Sequence, residues 1–202
     1  MSNILISLDP SFTRTGICII DLSNKTIEFY TASCKIGEKQ FENVVHAAQS
    51  VVNQLKDIFA KYTEYDLIHE SPLPMSSMSS ALYSLDTLIY HTFESHIKRT
   101  YNPATLRSKI HGHKYDKSDS QKLAAKYLAN LAKEGYSIIS DLGIKKKIPH
   151  DCCEALLYSW LYLHELGNSD FQFDNSEDIA AYKQRMKNLK QREKLLMSGK
   201  ED

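Results

Sequence analysis

Apolar positions first gather in Asn3-Ile-Leu-Ile-Ser-Leu-Asp9, a run that ends on a carboxylate, turns through Pro-Ser-Phe-Thr-Arg-Thr-Gly16 and resumes as Ile17-Cys-Ile-Ile-Asp21. Two apolar runs joined by a Ser/Thr/Gly-rich turn predict a β-hairpin with Asp9 at its mouth. Lys25 to Cys34 alternates as a third antiparallel strand, with Leu22-Ser-Asn-Lys25 as the turn before it. Between Glu38 and Tyr62 the apolar residues Phe41, Val44, Val45, Ala48, Val51, Val52, Leu55, Ile58 and Phe59 recur at three and four, the stripe of an amphipathic helix. Tyr65 to Glu70 is a short strand that again stops on an acid. Pro72 and Pro74 follow, and proline neither donates to a sheet ladder nor extends a helix, so Glu70 falls at the strand's carboxyl edge.

A polar loop, Met75 to Ser80, precedes a helix predicted from Ala81 to Ser95, and Ile97 to Tyr101 reads as a fifth strand. Asn102-Pro103 has the form of a helix start, with asparagine as cap and proline at the first helical position. His111 to Lys117 is loop-like, and Ser118-Asp-Ser-Gln121 has capping-box form ahead of Leu123, Ala124, Tyr127, Leu128 and Leu131. The stretch around Lys145-Lys-Lys147 has no clear pattern, after which Pro149 announces a helix from His150 to Leu166 that Gly167 ends. The pattern predicts an α/β domain over residues 1–167: a five-stranded mixed sheet, its first three strands antiparallel, flanked by helices. From 168 to 202 the character changes. Ile179, Tyr182, Met186, Leu189 and Leu196 fall at helical spacing, while Lys183 to Lys194 holds six bases against one acid, a basic amphipathic tail that could dock on its own domain, pair across a dimer or lie along DNA.

At 202 residues, 42% hydrophobic and 25% charged, the chain fits one globular domain with a full core. No apolar run approaches the ~20 residues that span a bilayer, and the N-terminus lacks the basic-then-apolar layout of a signal peptide, so a cytoplasmic location without membrane association is expected. Cys18, Cys34, Cys152 and Cys153 show no CxxC spacing and read as structural thiols. Net charge is zero. Phosphate binding depends on local patches, so this balance decides nothing about nucleic acid.

Four acids share a placement: Asp9 ends the first strand, Glu70 the fourth, and Asp151 and Glu154 lie in the first turn of the Pro149 helix. Residues three apart on a helix occupy one face, about 4.5 Å apart in rise, so Asp151 and Glu154 can serve one cation cluster. Taken singly, each has an ordinary reading: acids at a helix N-terminus complement its dipole, and an aspartate after a strand forms turns. Together, on apolar strand ends and an apolar helix, they call for compensation, and hard divalent cations such as Mg²⁺, or Mn²⁺ in its place, take oxygen ligands of this kind. Acids around two such ions, without a histidine-rich set, fit in-line hydrolysis of a phosphodiester, one ion activating the nucleophile and the other stabilising the leaving 3′ oxygen.

Asp9-Pro-Ser-Phe-Thr-Arg-Thr-Gly16, the Ile68-His-Glu70 strand end and Asp151-Cys-Cys-Glu154-Ala-Leu resemble the successive motifs of the RuvC-type Holliday junction resolvases, over roughly Asn3 to Leu166. The resemblance implies a ribonuclease H-like fold and a homodimer that binds four-way DNA and nicks two strands symmetrically. It places Asp9, Glu70, Asp151 and Glu154 at the family's four metal-binding catalytic positions, and Lys117-Ser118 at its lysine-serine lead into a helix. This sequence departs from the pattern at Ser11, where glycine is usual, at Glu154, where aspartate is common, and at Leu73, where bacterial members carry an aromatic. With the basic tail, these departures point to a bacteriophage-type variant, acting in the cytoplasm of a bacterial host.

Between His96 and Lys126 eight bases face two acids, a patch able to order a phosphate backbone. Arg14, Arg107, Lys114 and Lys117 are the candidate DNA contacts, because loops at strand ends approach the site; Lys122 and Lys126 read as a solvated helix face. His150, beside Asp151, is either a helix-start residue or a proton-transfer group. His111 and His113 lack the further ligands of a zinc site. Tyr83, Tyr90 and Tyr101 are core aromatics by spacing or stacking partners for opened bases. Three rivals remain: a fork or flap nuclease with the same chemistry, a non-catalytic branched-DNA binder, and an actin-like phosphotransferase. The last needs a second domain that 202 residues do not hold.

Overall fold

The computed structural model describes residues 2–34, 44–71, 79–106, 109–110, 117–140 and 148–172. Strands β1 (Ile4–Asp9), β2 (Thr15–Asp21) and β3 (Thr26–Ala32) run antiparallel in sequence. After α1 (Val44–Phe59), β4 (Asp66–Glu70) pairs parallel to β1; after α2 (Ser79–Phe93), β5 (Ile97–Tyr101) pairs parallel to β4. A short α3 (Pro103–Leu106) follows, then α4 (Lys117–Lys133), β6 (Ser137–Ser140) and α5 (His150–Glu165). The sheet therefore has six strands in the order β5-β4-β1-β2-β3-β6, one more than the sequence pattern predicts. The added strand, β6, lies parallel to β3 in the register Ile27↔Ile138 and supplies the hydrogen bonds that β3's outer edge would otherwise lack.

Strand alternation divides the interior in two. Leu5, Cys18, Ile20, Ile27, Phe29 and Ile68 face α4 and α5, whereas Ile6, Leu8, Ile17, Ile19 and Leu67 face α1 and α2. The central strands are buried on both faces, which is why they read as near-continuous apolar runs. In α5, every residue from Cys152 to Leu163 is buried, so this helix is a core element rather than an amphipathic cover. Trp160 stacks on Tyr127 of α4 at 4.0 Å, and Phe171 meets it edge-on at 5.2 Å.

Most predicted elements are present with small changes at their ends. Asn102 caps α3, its Oδ1 accepting from Ala104 N at 2.8 Å. Gly167 closes α5 with φ +76°, a backbone region that disfavours a side chain. α4 opens at Lys117, one residue ahead of the predicted capping serine, and its Ser120 is buried. The four cysteines form no disulfide. Among the described residues no helix is long and apolar enough to cross a membrane. Positions 35–43, 72–78, 111–116, 141–147 and 173–202, which include the predicted start of the first helix, Leu73, His111, His113 and most of the tail, lie outside the described residues, as do 107–108.

Candidate active site

The site is built where β1, β4 and α5 meet. Leu5 and Ser7 point to the α5 face, so Asp9, two residues on, shares it; Ile68 and Glu70 stand in the same relation on β4. Pairing of these parallel strands runs to Leu8↔His69, leaving Asp9 and Glu70 as the next residues of adjacent strands.

α5 is drawn against this edge by two sequence features. Gly16 is the register partner of Asp9 on β2, and a Cβ there would collide with the backbone of Asp151 and Cys152. Only glycine lets the first turn of α5 come so close. One turn further along, Ser7 Oγ donates to the Ala155 carbonyl at 2.6 Å and accepts from Ser159 Oγ at 2.6 Å, a buried polar pin between strand and helix.

The result gathers the acids. One ligand atom each from Asp9, His150 and Asp151 lie within 4.8 Å of one another. Burial raises the Asp9 pKa well above the carboxylate range, and the charges of Glu70, Glu154 and Asp151 raise it further, against a smaller opposing effect of His150. Glu70 and Glu154 are near enough for their charges to act on Asp9, but they lie outside the group of ligand atoms that Asp9, His150 and Asp151 form. Carboxylates that repel one another around Asp9 fit a hard divalent cation, which takes oxygen ligands.

The acids differ in their partners. Asp151 is ion-paired with Arg14, and its Oδ1 lies 3.5 Å from His150 Nδ1. Burial would raise its pKa, but His150 and Arg14 outweigh that and lower it. His150 Nε2 lies 3.0 Å from Glu154 Oε1, and contact with Asp151 and then Glu154 raises the imidazole to about 9 against the effect of burial. Glu154 also accepts from Ser120 Oγ at 2.5 Å, and Glu70 accepts from the Tyr158 hydroxyl. Burial, then the Glu70 charge and hydrogen bond, push the Tyr158 phenol far above its ordinary range, so it remains a donor. On the opposite side of β4, buried His69 turns its Nδ1 to Asp86 of α2 at 3.3 Å.

The chain matches no protein-family description, and no curated protein matches it. Solved structures do. A structure of Thermus thermophilus RuvC aligns with a TM-score of 0.54 at 12% identity, covering 81% of this chain and 96% of that one. The chain has the ribonuclease H-like fold of RuvC. A second structure, T. thermophilus RuvC in complex with a Holliday junction substrate, aligns with a TM-score of 0.52 at 9% identity over 82% of this chain and 97% of that one. A human cytomegalovirus terminase nuclease domain, Mn soaked and inhibitor bound, gives a TM-score of 0.38 at 14% identity, over 80% and 75% of the two chains.

Within this fold Asp9 and Asp151 come together with His150, Glu70 and Glu154 act on Asp9 only through their charges, and Arg14 pairs with Asp151, its side chain half exposed. Arg107 and Lys114 lie outside the described residues; Lys117 opens α4, and its side chain is likewise outside them. Tyr101 is buried, whereas Tyr83 and Tyr90 are exposed on α2. Sequence reasoning missed Tyr158 and Ser120. Tyr158 follows Glu154 by four residues, a spacing that also marks a core aromatic, and Ser120 was absorbed into the capping signal.

Proposed function

We propose that this protein is a divalent-metal-dependent endonuclease that cuts branched DNA, four-way junctions first among them, and acts as a homodimer. The observation that carries the reading is the meeting of Asp9 and Asp151, with Glu70 and Glu154 close enough to act on Asp9, at one edge of a RuvC-type sheet. That a RuvC of the same fold is described in complex with a Holliday junction supports the choice of substrate.

In this reading Asp9, Glu70, Asp151 and Glu154 hold two Mg²⁺ ions, with Mn²⁺ able to substitute. When bound, the ions supply charge at the attacking and leaving oxygens of the phosphodiester. The protein's own residues do the rest. Gly16 and Ser7 fix the helix that carries two of the acids against the strands that carry the others. Arg14, half exposed and paired with Asp151, would be a contact for a backbone phosphate, and Arg107, Lys114 and Lys117 are the further candidate DNA contacts. His150, flanked by two carboxylates, holds a proton near the reacting centre.

One observation favours a second reading. Arg14 and His150 already compensate Asp151 and Glu154, which is what a non-catalytic junction binder would retain. A substrate panel separates the readings: labelled four-way junction, replication fork, flap and linear duplex, each with Mg²⁺ and each with EDTA. Metal-dependent nicks in the junction at rates above those in fork and flap support the resolvase; faster cutting of forks or flaps supports the sibling nuclease. Junction-specific mobility shifts with no cutting under any metal support the binder.

A further inference from the structure

Among the described residues, the two glutamates of the site share a feature that the two aspartates do not: each accepts a hydrogen bond from a buried hydroxyl of another element. Tyr158 Oη of α5 donates to Glu70 Oε2 of β4, and Ser120 Oγ of α4 donates to Glu154 Oε1 of α5. Both donors are completely buried. Neither is free to swing away. The Tyr158 ring stacks on Tyr101 with centroids 5.6 Å apart, and Tyr101 Oη donates at 3.0 Å to Glu165, which is itself paired with Arg99 at 3.1 Å and with Lys109. Ser120 belongs to the helix that packs along α5.

A glutamate has one more torsion than an aspartate, so a ligand role demands more ordering of it. An ionised carboxylate offers about four lone-pair directions, so a hydroxyl can fix its orientation without excluding a cation; on Glu154 the Oε1 that Ser120 holds also lies 3.0 Å from His150 Nε2. We infer that Tyr158 and Ser120 are positioning residues, which aim Glu70 and Glu154 at the cation site formed around Asp9 and Asp151. Fixed outer partners of this sort set ligand direction, and their loss weakens a metal site without removing a ligand. Ser120 thus answers to the glutamate at position 154: the longer side chain reaches α4 and is anchored there. The inference rests on the metal-dependent reading above.

The test is calorimetric titration of Mn²⁺ into the full chain and into Tyr158→Phe, Ser120→Ala and Ser120→Thr. Each hydroxyl deletion is expected to weaken Mn²⁺ binding by about 10-fold or more, with unchanged circular dichroism, and Ser120→Thr is expected to restore it. In a Glu70→Gln background, Tyr158→Phe should cost nothing further, since the phenol acts through that carboxylate. Wild-type affinity in both Tyr158→Phe and Ser120→Ala overturns the inference and leaves the metal reading standing. So does a lower melting temperature with unchanged affinity, which would make the hydroxyls folding contacts only. Absence of Mn²⁺ binding by the wild type overturns both. If Tyr158→Phe does not fold, the Ser120 pair decides.

Discussion

Asp9 is the residue on which the site's charges converge: burial and then Glu70, Glu154 and Asp151 all oppose its ionisation. A cation bound at the site would offset those charges, so on the proposed reading the loss of the Asp9 charge weakens the reason for a cation to bind there. Asp9→Asn and Glu70→Gln are each expected to slow junction cleavage by at least about 10²- to 10³-fold, the scale for losing one charge-stabilising group. Junction affinity in a mobility-shift assay should stay close to wild type. A titration away from the site gives an independent prediction. Burial raises the Glu165 pKa, but hydrogen bonds from Lys109 and Tyr101 and the charges of Arg99 and Lys109 outweigh it, and the net shift is downward from 4.5. A carboxyl with a depressed folded-state pKa stabilises the fold above its unfolded pKa and loses that contribution as pH falls through the folded value. Glu165→Gln should therefore melt below wild type at neutral pH, and the gap should close as pH is lowered below about 4. Of the four acids the sequence singles out by their joint placement, Asp9 and Asp151 meet at one point, together with His150, whose position beside Asp151 the sequence also shows. Tyr158 and Ser120 were not legible, because their contacts join residues 88 and 34 positions apart and leave no local periodicity.

Among the elements, α5 decides whether the acids meet. Its limits could be read from Pro149 and Gly167, but its burial on all sides from Cys152 to Leu163 comes from lying between the sheet and α4. Gly16→Ala would force the first turn of α5 away from Asp9, since the new methyl meets backbone rather than a movable side chain. The expected cost is about 1–3 kcal/mol in denaturant melts, as for other overpacked sites, with loss of Mn²⁺ affinity beyond the loss of stability. An unchanged melt would show that α5 has room to shift. β6 escaped sequence reading for the opposite reason. Ser-Ile-Ile-Ser is four residues long, without alternation, and both isoleucines remain about half exposed, so the strand exists through its pairing with β3 rather than through burial.

At the scale of the molecule, the order β5-β4-β1-β2-β3-β6 sets β1 between an antiparallel and a parallel partner, and brings two strand ends and a helix start to one edge. Hydrophobic pattern predicted five strands and most helices, while strand order came only from the structure, because pairing between distant segments is not written in local periodicity. A homodimer would give a sedimentation-equilibrium mass about twice 23.1 kDa; a single-chain mass in the presence of junction DNA would contradict paired nicking. The most direct measurement is a denaturing gel of one end-labelled four-way junction incubated with wild type and Asp9→Asn, with and without Mg²⁺. Nicks near the crossover that need both the ion and Asp9 are the predicted result; no nicks with Mg²⁺ or Mn²⁺, or nicks that persist in Asp9→Asn, would contradict the metal-nuclease account.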